Sequence, residues 1–557
     1  MDSGIESNLV DPHAVKSAVS GHAAGIAASL VPWKVGVALF ALGMTATAGW
    51  APLEQAWMAW LAFAVLAAAV VRARDAAQAG LRSLCFALGL HAAGHGWVFH
   101  ALLMHTEAGW LWSVLGSALF LVYLAGFLAV PAWLCRGVLV RRLPGNRPLA
   151  HVRARAAWLP AGLALTWTAG EALRGLLFNG FDTLAAGYLF TAWPLRGWVP
   201  VVGVYGCSFL FYASASVAGA AFVSGRSPVR ALLGLAALQI ALVLAGGAAL
   251  DLQQWVTPVG RPLTFRLLQG GVPQQEKFDA RESQRQVDAY LDAITAAPAD
   301  LIVTPETTFA MGWTELHPDV LHRIRTFSAT TGAHVFVGMP HMEAGGLVKN
   351  SVFQIAPGHP ALPRYDKSRL MPFGEYAPIG LAWFTQRMSI PLNDQTPGST
   401  DQLPFYVNGA GVPVRVGTLT CHEDASQADA RRWASRTELL INPGNLAWFE
   451  GTWALPQRLQ VAQARALETG RPLLRTTNTG VTAHIDDRGR VVARLPLGTA
   501  GVLSGVVHPT TGLTPFARFG NAQVLVLAGV LVVAAAVATR WNTVGSRRAH
   551  RSNGKSP

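Results

Sequence analysis

Val416-Gly-Thr-Leu-Thr-Cys421-His-Glu423-Asp424 is an apolar, β-branched run that stops at a cysteine and two acids. A polar, helix-like segment from Ser426 to Arg436 follows it. A strand ending in a sharp turn fixes the backbone and presents the next side chain at the sheet edge, which is how a thiol nucleophile is displayed. A free thiol titrates at about 8.5, so Cys421 needs a neighbouring base or a positive field to act at neutral pH. Cys85, Cys135 and Cys207 lie in or beside apolar segments, and no pair has the spacing of a zinc site or a disulfide framework.

Working outward from this strand, short β-rich runs alternate with amphipathic stretches from about residue 260 onward. Strands are expected at Pro262–Leu268, Asp300–Thr304, His334–Gly338, Ser351–Ile355, Val412–Thr420, Glu438–Ile441 and Pro472–Thr476. Helices are expected near 279–296, 317–331, 426–436 and 452–469, and a hairpin turning at Asp487-Arg-Gly489. Roughly 250 residues of this alternation make a layered α/β domain with its own core.

The remainder of the chain is different. Of 557 residues, 51% are hydrophobic and only 13% charged, which points to a bilayer environment for much of the length. Apolar runs of spanning length fall near 32–50, 56–71, 84–103, 110–134, 156–174, 198–223 and 231–250, with one more near 522–539. The net charge of +13 is concentrated in the connections at 72–83, 135–155 and 224–230 and in the tail after Arg540, while the alternate connections hold Glu54, Glu107 and Asp182 and a single arginine, Arg196. This is the positive-inside pattern rather than a nucleic-acid face. It places both termini in the cytoplasm and residues 251–521 outside.

Within the spans, His91 and His95 share a helix face, but no carboxylate or thiol is spaced to complete a metal site; hydrogen bonding inside a bundle, or lining it, accounts for them. Glu171 and Arg174 stand three apart near the outer end of a span, where mutual pairing would lower the cost of burying them.

Two further charged groups stand where an α/β domain places chemistry, just past strand ends. Glu306, in Leu301-Ile-Val-Thr-Pro-Glu306, is expected at the mouth of a strand and partly desolvated, with its pKa raised towards that of a base. Lys367 lies in Arg364-Tyr-Asp-Lys367-Ser-Arg-Leu-Met-Pro-Phe-Gly-Glu375, a loop too rich in turn formers and aromatics for a plain solvated face. Each group alone is weak; the order Glu306, Lys367, Cys421 is specific.

That order resembles the Glu-Lys-Cys triad of the nitrilase superfamily, and the multi-span arrangement resembles its membrane-embedded apolipoprotein N-acyltransferase branch. The matching stretches are Glu171-Ala-Leu-Arg-Gly-Leu-Leu-Phe-Asn-Gly-Phe181, Leu268-Gln-Gly-Gly-Val-Pro-Gln274, Pro372-Phe-Gly-Glu-Tyr376, Asn445-Leu-Ala-Trp448-Phe449 and the long run Gln460 to Gly480. The resemblance implies about eight transmembrane helices carrying a nitrilase-like αββα sandwich. It divides the chain into a cytoplasmic segment (1–31), a seven-span domain (32–250), a catalytic domain (251–515), a last span (516–540) and a basic cytoplasmic tail (541–557).

The same resemblance implies a monomeric enzyme of the bacterial inner membrane, with its catalytic domain on the periplasmic side and no metal or cofactor. It would transfer an acyl chain from a phospholipid to the α-amino group of a diacylglyceryl-cysteine apolipoprotein, through a Cys421 thioester. Glu306 would be the base and Lys367 the oxyanion partner. Glu375, Glu423 and Asn445 would support the site, and Trp448 and Phe278 would lie towards substrate. The chain departs from the family pattern at His422 (usually Tyr), Leu446 (usually an acid) and Phe278 (often Trp), all near expected substrate contacts. A membrane-tethered amidase or lipid hydrolase, with water as acceptor, and a transporter carrying a decayed domain are the other readings.

Overall fold

In the computed structural model, which describes residues 31–139, 158–223, 226–378, 380, 382–383, 394–408, 413–522, 526 and 529, the apolar runs of the first half form helices. These are Trp33–Ala46, Ala56–Val71, Ala76–His95, Trp97–His105, Gly109–Leu139, Leu159–Arg174, Val199–Ala221 and Arg226–Asp251. Among the described residues, Gly109–Leu139, Leu195–Ala221 and Val229–Asp251 are long and apolar enough to cross a membrane. The run expected to span at 84–103 is instead two helices that meet at Gly96. Residues 1–30, most of the arginine-rich connection at 135–155, most of the last apolar run and the basic tail lie outside the described residues.

Small residues let these helices touch backbone to backbone. A Cβ on Gly89 would sit 1.9 Å from the Phe40 carbonyl oxygen, and one on Gly43 would sit 1.9 Å from that of Phe86. Some of the polar groups buried between the helices find one another. His91 and His95 face each other at 3.0 Å between their Nδ1 atoms. Glu171 and Arg174 do not form the ion pair expected of them. Glu171 Oε1 accepts from Ala186 N (2.9 Å) and Tyr212 Oη (2.6 Å), while Arg174 reaches the His91 ring (3.5 Å) and the Asp182 carbonyl (3.4 Å). The closing of the chain at 182–190 supplies nearer partners than one helical turn does.

The second half is a sandwich of two six-stranded sheets, beside a short ladder of β1 Thr257–Pro258 and β14 Thr510–Thr511. The first runs β13–β2–β3–β4–β5–β6, with β2 Leu263–Gln269, β3 Leu301–Val303, β4 His334–Met342, β5 Val348–Ile355, β6 Arg364–Asp366 and β13 Gly501–Val507. The second runs β12–β11–β10–β9–β8–β7, with β7 Phe405–Val407, β8 Val414–Thr418, β9 Leu439–Gly444, β10 Leu473–Thr477, β11 Ala483–Ile485 and β12 Val491–Arg494. In each sheet three parallel strands (β2, β3, β4; β8, β9, β10) are flanked by antiparallel ones. Central strands covered on both faces read as continuous apolar runs, as Leu301-Ile-Val does.

Side-chain alternation explains the layers. Leu263, Phe265, Leu267, Leu301 and Val303 point between the sheets and pack on Val414, Val416, Leu439 and Ile441. Leu268 and Ile302 point the other way, onto the outer helices Ala280–Thr295 and Pro318–Thr331. On the far face lies the helix Ala454–Thr469. Its Leu459, Ala462 and Ala466 join the apolar core of the sandwich, and its Val461, Ala464 and Leu467 belong to the core of the helical bundle. Gln457 and Gln460 of the same helix bond to the Gly94 and Tyr188 carbonyls at 3.1 Å each. One helix is therefore a wall of both cores.

Candidate active site

Parallel strands deliver their C-terminal ends to one edge of the sandwich, and the charged side chains gather there. Glu306 follows β3 after Thr304-Pro305. Its backbone rests so tightly on Gly338 of β4 that a Cβ there would lie 2.3 Å from the Pro305 carbonyl oxygen, so only glycine fits. Lys367 directly follows β6, its N–H donating to the Asn350 carbonyl of β5 at 2.8 Å.

The Lys367 ammonium donates to Glu306 Oε1 at 3.0 Å and to Glu375 Oε1 at 2.7 Å, fully buried. Asn350 Nδ2 bridges the same two carboxylates, at 2.7 Å to Glu306 and 3.2 Å to Glu375. The second oxygen of Glu306 accepts from Asn445 N at 2.7 Å, and that of Glu375 from Met371 N at 2.7 Å.

Burial pushes the Glu306 carboxyl up. The Lys367 ammonium and the bonds from Asn445 and Asn350 outweigh it, and hold Glu306 below the usual carboxylate range. The raised value expected from the sequence is therefore reversed: a strand-end carboxylate does gain desolvation, but here it also gains a buried cation. Burial would pull Lys367 down, yet Glu306 and Glu375 carry it well above its usual value, so it stays charged. The resting site thus holds an ionised carboxylate and a permanent ammonium.

Cys421 stands three residues past β8, at φ +48°. A non-glycine residue in the left-handed region costs on the order of 1–3 kcal/mol and persists only when its surroundings hold it. Thr307, beside Glu306, is strained in the same way at φ +51°. Burial and the Glu306 charge push the thiol up to about 12, while Lys367 and Arg458 pull it down. At rest the thiol is neutral.

The acids after Cys421 anchor the turn. Glu423, fully buried, accepts from Thr420 N (2.8 Å), Tyr365 Oη (2.8 Å), Ser368 N (2.8 Å), Ser368 Oγ (2.8 Å) and Arg369 N (3.1 Å). It ties the turn bearing Cys421 to the loop bearing Lys367. Asp424, also fully buried, pairs with Arg458 and, at 2.7 Å, with Arg475.

His422 faces the helical bundle. Its Nε2 lies 2.8 Å from the Gly180 carbonyl oxygen, and its ring stacks on Phe181 at 6.5 Å. Burial, with Arg458 and Lys367 nearby, pushes its pKa down to about 3, so the ring is neutral and the proton that bonds the carbonyl sits on Nε2. Asn445 adds side-chain bonds to Gln274 (3.2 Å) and Asn478 (3.3 Å). Trp448 meets His105 edge to face (5.3 Å between ring centres) and Phe449 meets Trp97 likewise (4.7 Å), joining this edge of the sandwich to the helices. Phe278 is exposed, away from the charged cluster's hydrogen bonds.

Two members went unread in the sequence. Asn350, mid-strand in β5, carries no motif. Lys277, buried, donates to the Glu306 carbonyl oxygen at 3.1 Å. Burial pushes it down to about 8 against the pull of Glu306 and Cys421. Its only local signal is a lysine beside the aromatic Phe278.

Residues 42–217 match the family of apolipoprotein N-acyltransferase N-terminal domains, and residues 267–514 match the carbon-nitrogen hydrolase family. A protein of Ralstonia nicotianae described as an apolipoprotein N-acyltransferase is 39% identical over 509 residues, covering 90% of this chain and 92% of its own. One of Nitrosomonas europaea with the same description is 34% identical, covering 90% and 97%. One of Bordetella bronchiseptica is 35% identical, covering 86% and 91%. Among solved structures, an amidase of the nitrilase superfamily from Nesterenkonia aligns at 18% identity with a TM-score of 0.35, over 48% of this chain and 97% of that one.

Proposed function

The chain belongs to the apolipoprotein N-acyltransferase family and is an acyltransferase of lipoprotein N-acylation, and from that premise we propose that its acyl group travels as a thioester on Cys421. The observation that carries this reading is the Lys367 ammonium clamped between the Glu306 and Glu375 carboxylates beside a strained, neutral thiol.

Glu306 takes the thiol proton as Cys421 Sγ bonds to the sn-1 ester carbonyl carbon of a phospholipid. Its low pKa keeps it ionised, and the gap to the thiol makes proton transfer and attack concerted. The carbonyl electrons move to oxygen, where Lys367 and the His422 N–H bond the oxyanion; losing one such donor costs about 10²–10³ in rate. Collapse breaks the ester C–O bond, the alkoxide takes the proton from Glu306, and a lysophospholipid leaves. The α-amino group of a diacylglyceryl-cysteine then attacks the thioester. Glu306 takes its proton and returns it to the departing thiolate, leaving an amide. Glu375 and Asn350 hold Lys367 and Glu306 in place, and Glu423 holds the two loops together.

Both substrates carry lipid tails, so a site beside membrane helices spares either tail exposure to water at about 0.8 kcal/mol per CH₂. We place residues 251–515 as the catalytic domain on the periplasmic side. Seven spans precede it, an eighth follows, and both termini are cytoplasmic, from the arginine distribution. The test is mass spectrometry of the protein incubated with phospholipid alone and then with a diacylglyceryl peptide. An acyl adduct on Cys421, transferred to the peptide amine, is expected. Free fatty acid without acylated peptide would assign hydrolysis instead.

A further inference from the structure

The peptide group joining Cys421 to His422 has two ends. Its N–H is the backbone donor of the mechanism proposed above, on which this inference rests; no hydrogen bond from it occurs among the described residues. Its carbonyl oxygen is held from behind. Arg458 Nη2 donates to it at 3.2 Å and Asn442 Nδ2 at 3.4 Å. Arg458 is in turn paired with Asp424. Arg475 bonds both Asp424, at 2.7 Å, and the Asn442 side-chain oxygen. These four side chains are buried; Arg458 is the nearer donor to this carbonyl, and Asn442, which also bonds the Leu419 carbonyl, is the farther one.

A trans peptide is planar, so its C=O and N–H point in opposite directions. Fixing the carbonyl fixes the N–H. The anchor matters because Cys421 is in the left-handed region, where a non-glycine residue is strained and relaxes unless it is held. A charged donor on the carbonyl also polarises the amide and strengthens the bond its N–H can give. Burial lowers the Arg458 guanidinium to about 10, so it remains a cation at neutral pH.

We infer that Arg458 is a positioning residue for acyl transfer: paired with Asp424, it locks the Cys421–His422 peptide so that its N–H faces the developing oxyanion. Arg458 acts through this peptide and need not touch substrate.

The experiment uses the full-length protein in detergent. Arg458→Met combined with Asp424→Asn removes the anchor and keeps the cluster's net charge at +1, carried by Arg475. Two rates are measured: thioester formation against phospholipid concentration, and alkylation of Cys421 by iodoacetamide against pH, which needs thiolate but forms no oxyanion. The expected result is a kcat for thioester formation lower by about 10- to 100-fold, bounded by the ~10²–10³ worth of a whole donor, with KM and the alkylation midpoint unchanged. Arg458→Lys, which keeps the charge and its carboxylate but loses the fork, is expected to show the same split at about 3- to 10-fold.

Unchanged thioester formation in both variants overturns the inference. So does a parallel loss of alkylation, which would make Arg458 a charge on sulfur or a structural prop. If the double variant fails to fold, the Arg458→Lys split decides alone. Should the wild-type protein form no adduct on Cys421, the thioester reading itself falls, whatever the variants do.

Discussion

The two sheets of the sandwich share a plan and carry different cargo. Reading β13–β2–β3–β4–β5–β6 against β7–β8–β9–β10–β11–β12, every neighbour relation repeats: antiparallel, parallel, parallel, antiparallel, antiparallel. Glu306 follows β3, and Asn445 follows β9, its counterpart; they meet through the 2.7 Å bond from Asn445 N to Glu306 Oε2. The first sheet's loops bring Glu306, Lys367 and Glu375, two acids around one base. The second sheet's strand β10, its loops and its covering helix bring Cys421, Asp424, Arg458 and Arg475, a thiol in front of two bases and one acid. Burial raises the thiol's pKa most; Glu306 and Glu375 of the first half raise it further, while Lys367 of that half and Arg458 of the other lower it. The plan alone supplies two strand-end edges; the reactive centre exists only where unlike edges face each other.

Removing the contribution of either half should break the centre. The largest effect is expected from Cys421→Ala, with no acyl adduct and turnover at background; any adduct at another residue, seen by mass spectrometry, would transfer the nucleophile's role. Glu306→Gln follows, with thioester formation down by about 10²–10⁴; a normal burst in stopped-flow assays would remove it as base. Lys367→Met is expected to cost about 10²–10³ and to move the acid limb of the pH–rate profile. The sign follows from the partners: Lys367 holds Glu306 low, so its loss lets burial raise Glu306, and activity fails at a higher pH than in the wild type. An acid limb that stays put contradicts the pairing.

Smaller effects sharpen the contrast. Lys277 titrates at about 8 beside Glu306, so above that pH the first half gains one net negative charge and disfavours the thiolate further. Cys421 alkylation should therefore rise with pH less steeply past 8 than a single thiol would, and Lys277→Met should abolish that inflection. Smallest is His422→Phe, which leaves the Gly180 carbonyl unpaired. A loss of about 1–3 kcal/mol in stability is expected, with kcat within a few-fold. A large loss of kcat at full stability would give His422 a direct part in the chemistry.

How much of this could be read beforehand follows from range. The strands at Asp300–Thr304 and His334–Gly338 are apolar runs with punctuated ends, and they appear where expected with shifted limits. β6 and β7 are three residues each, too short for a period, and the paired edge strand β13 was not anticipated either. Gly96 kept the span at 84–103 apolar while dividing its helix, because hydropathy is blind to a break. In the site, Glu306, Lys367 and Cys421 stand past strand ends and were legible by position and order. The depressed Glu306 was not, since its cause is an ammonium 61 residues away. Asn350 and Arg458 sit mid-element, where a polar residue reads as a face rather than a partner, and Lys277 ends the four-residue helix Gln274–Lys277, too short for a period. The ion pair expected of Glu171 and Arg174 failed for the same reason: their partners come from a chain reversal no local pattern announces.

The helix Ala454–Thr469, walled by both cores, has a thermodynamic consequence. A residue range cut at 251–515 would carry that helix away with one side stripped, laying Val461, Ala464 and Leu467 open to water along with Gln457 and Gln460. The two halves of the molecule thus share cooperativity as well as substrates: heat or detergent that loosens the helical bundle loosens the wall on which Arg458 is mounted. Melting followed by bundle tryptophans and melting followed by thiol reactivity should then trace one curve.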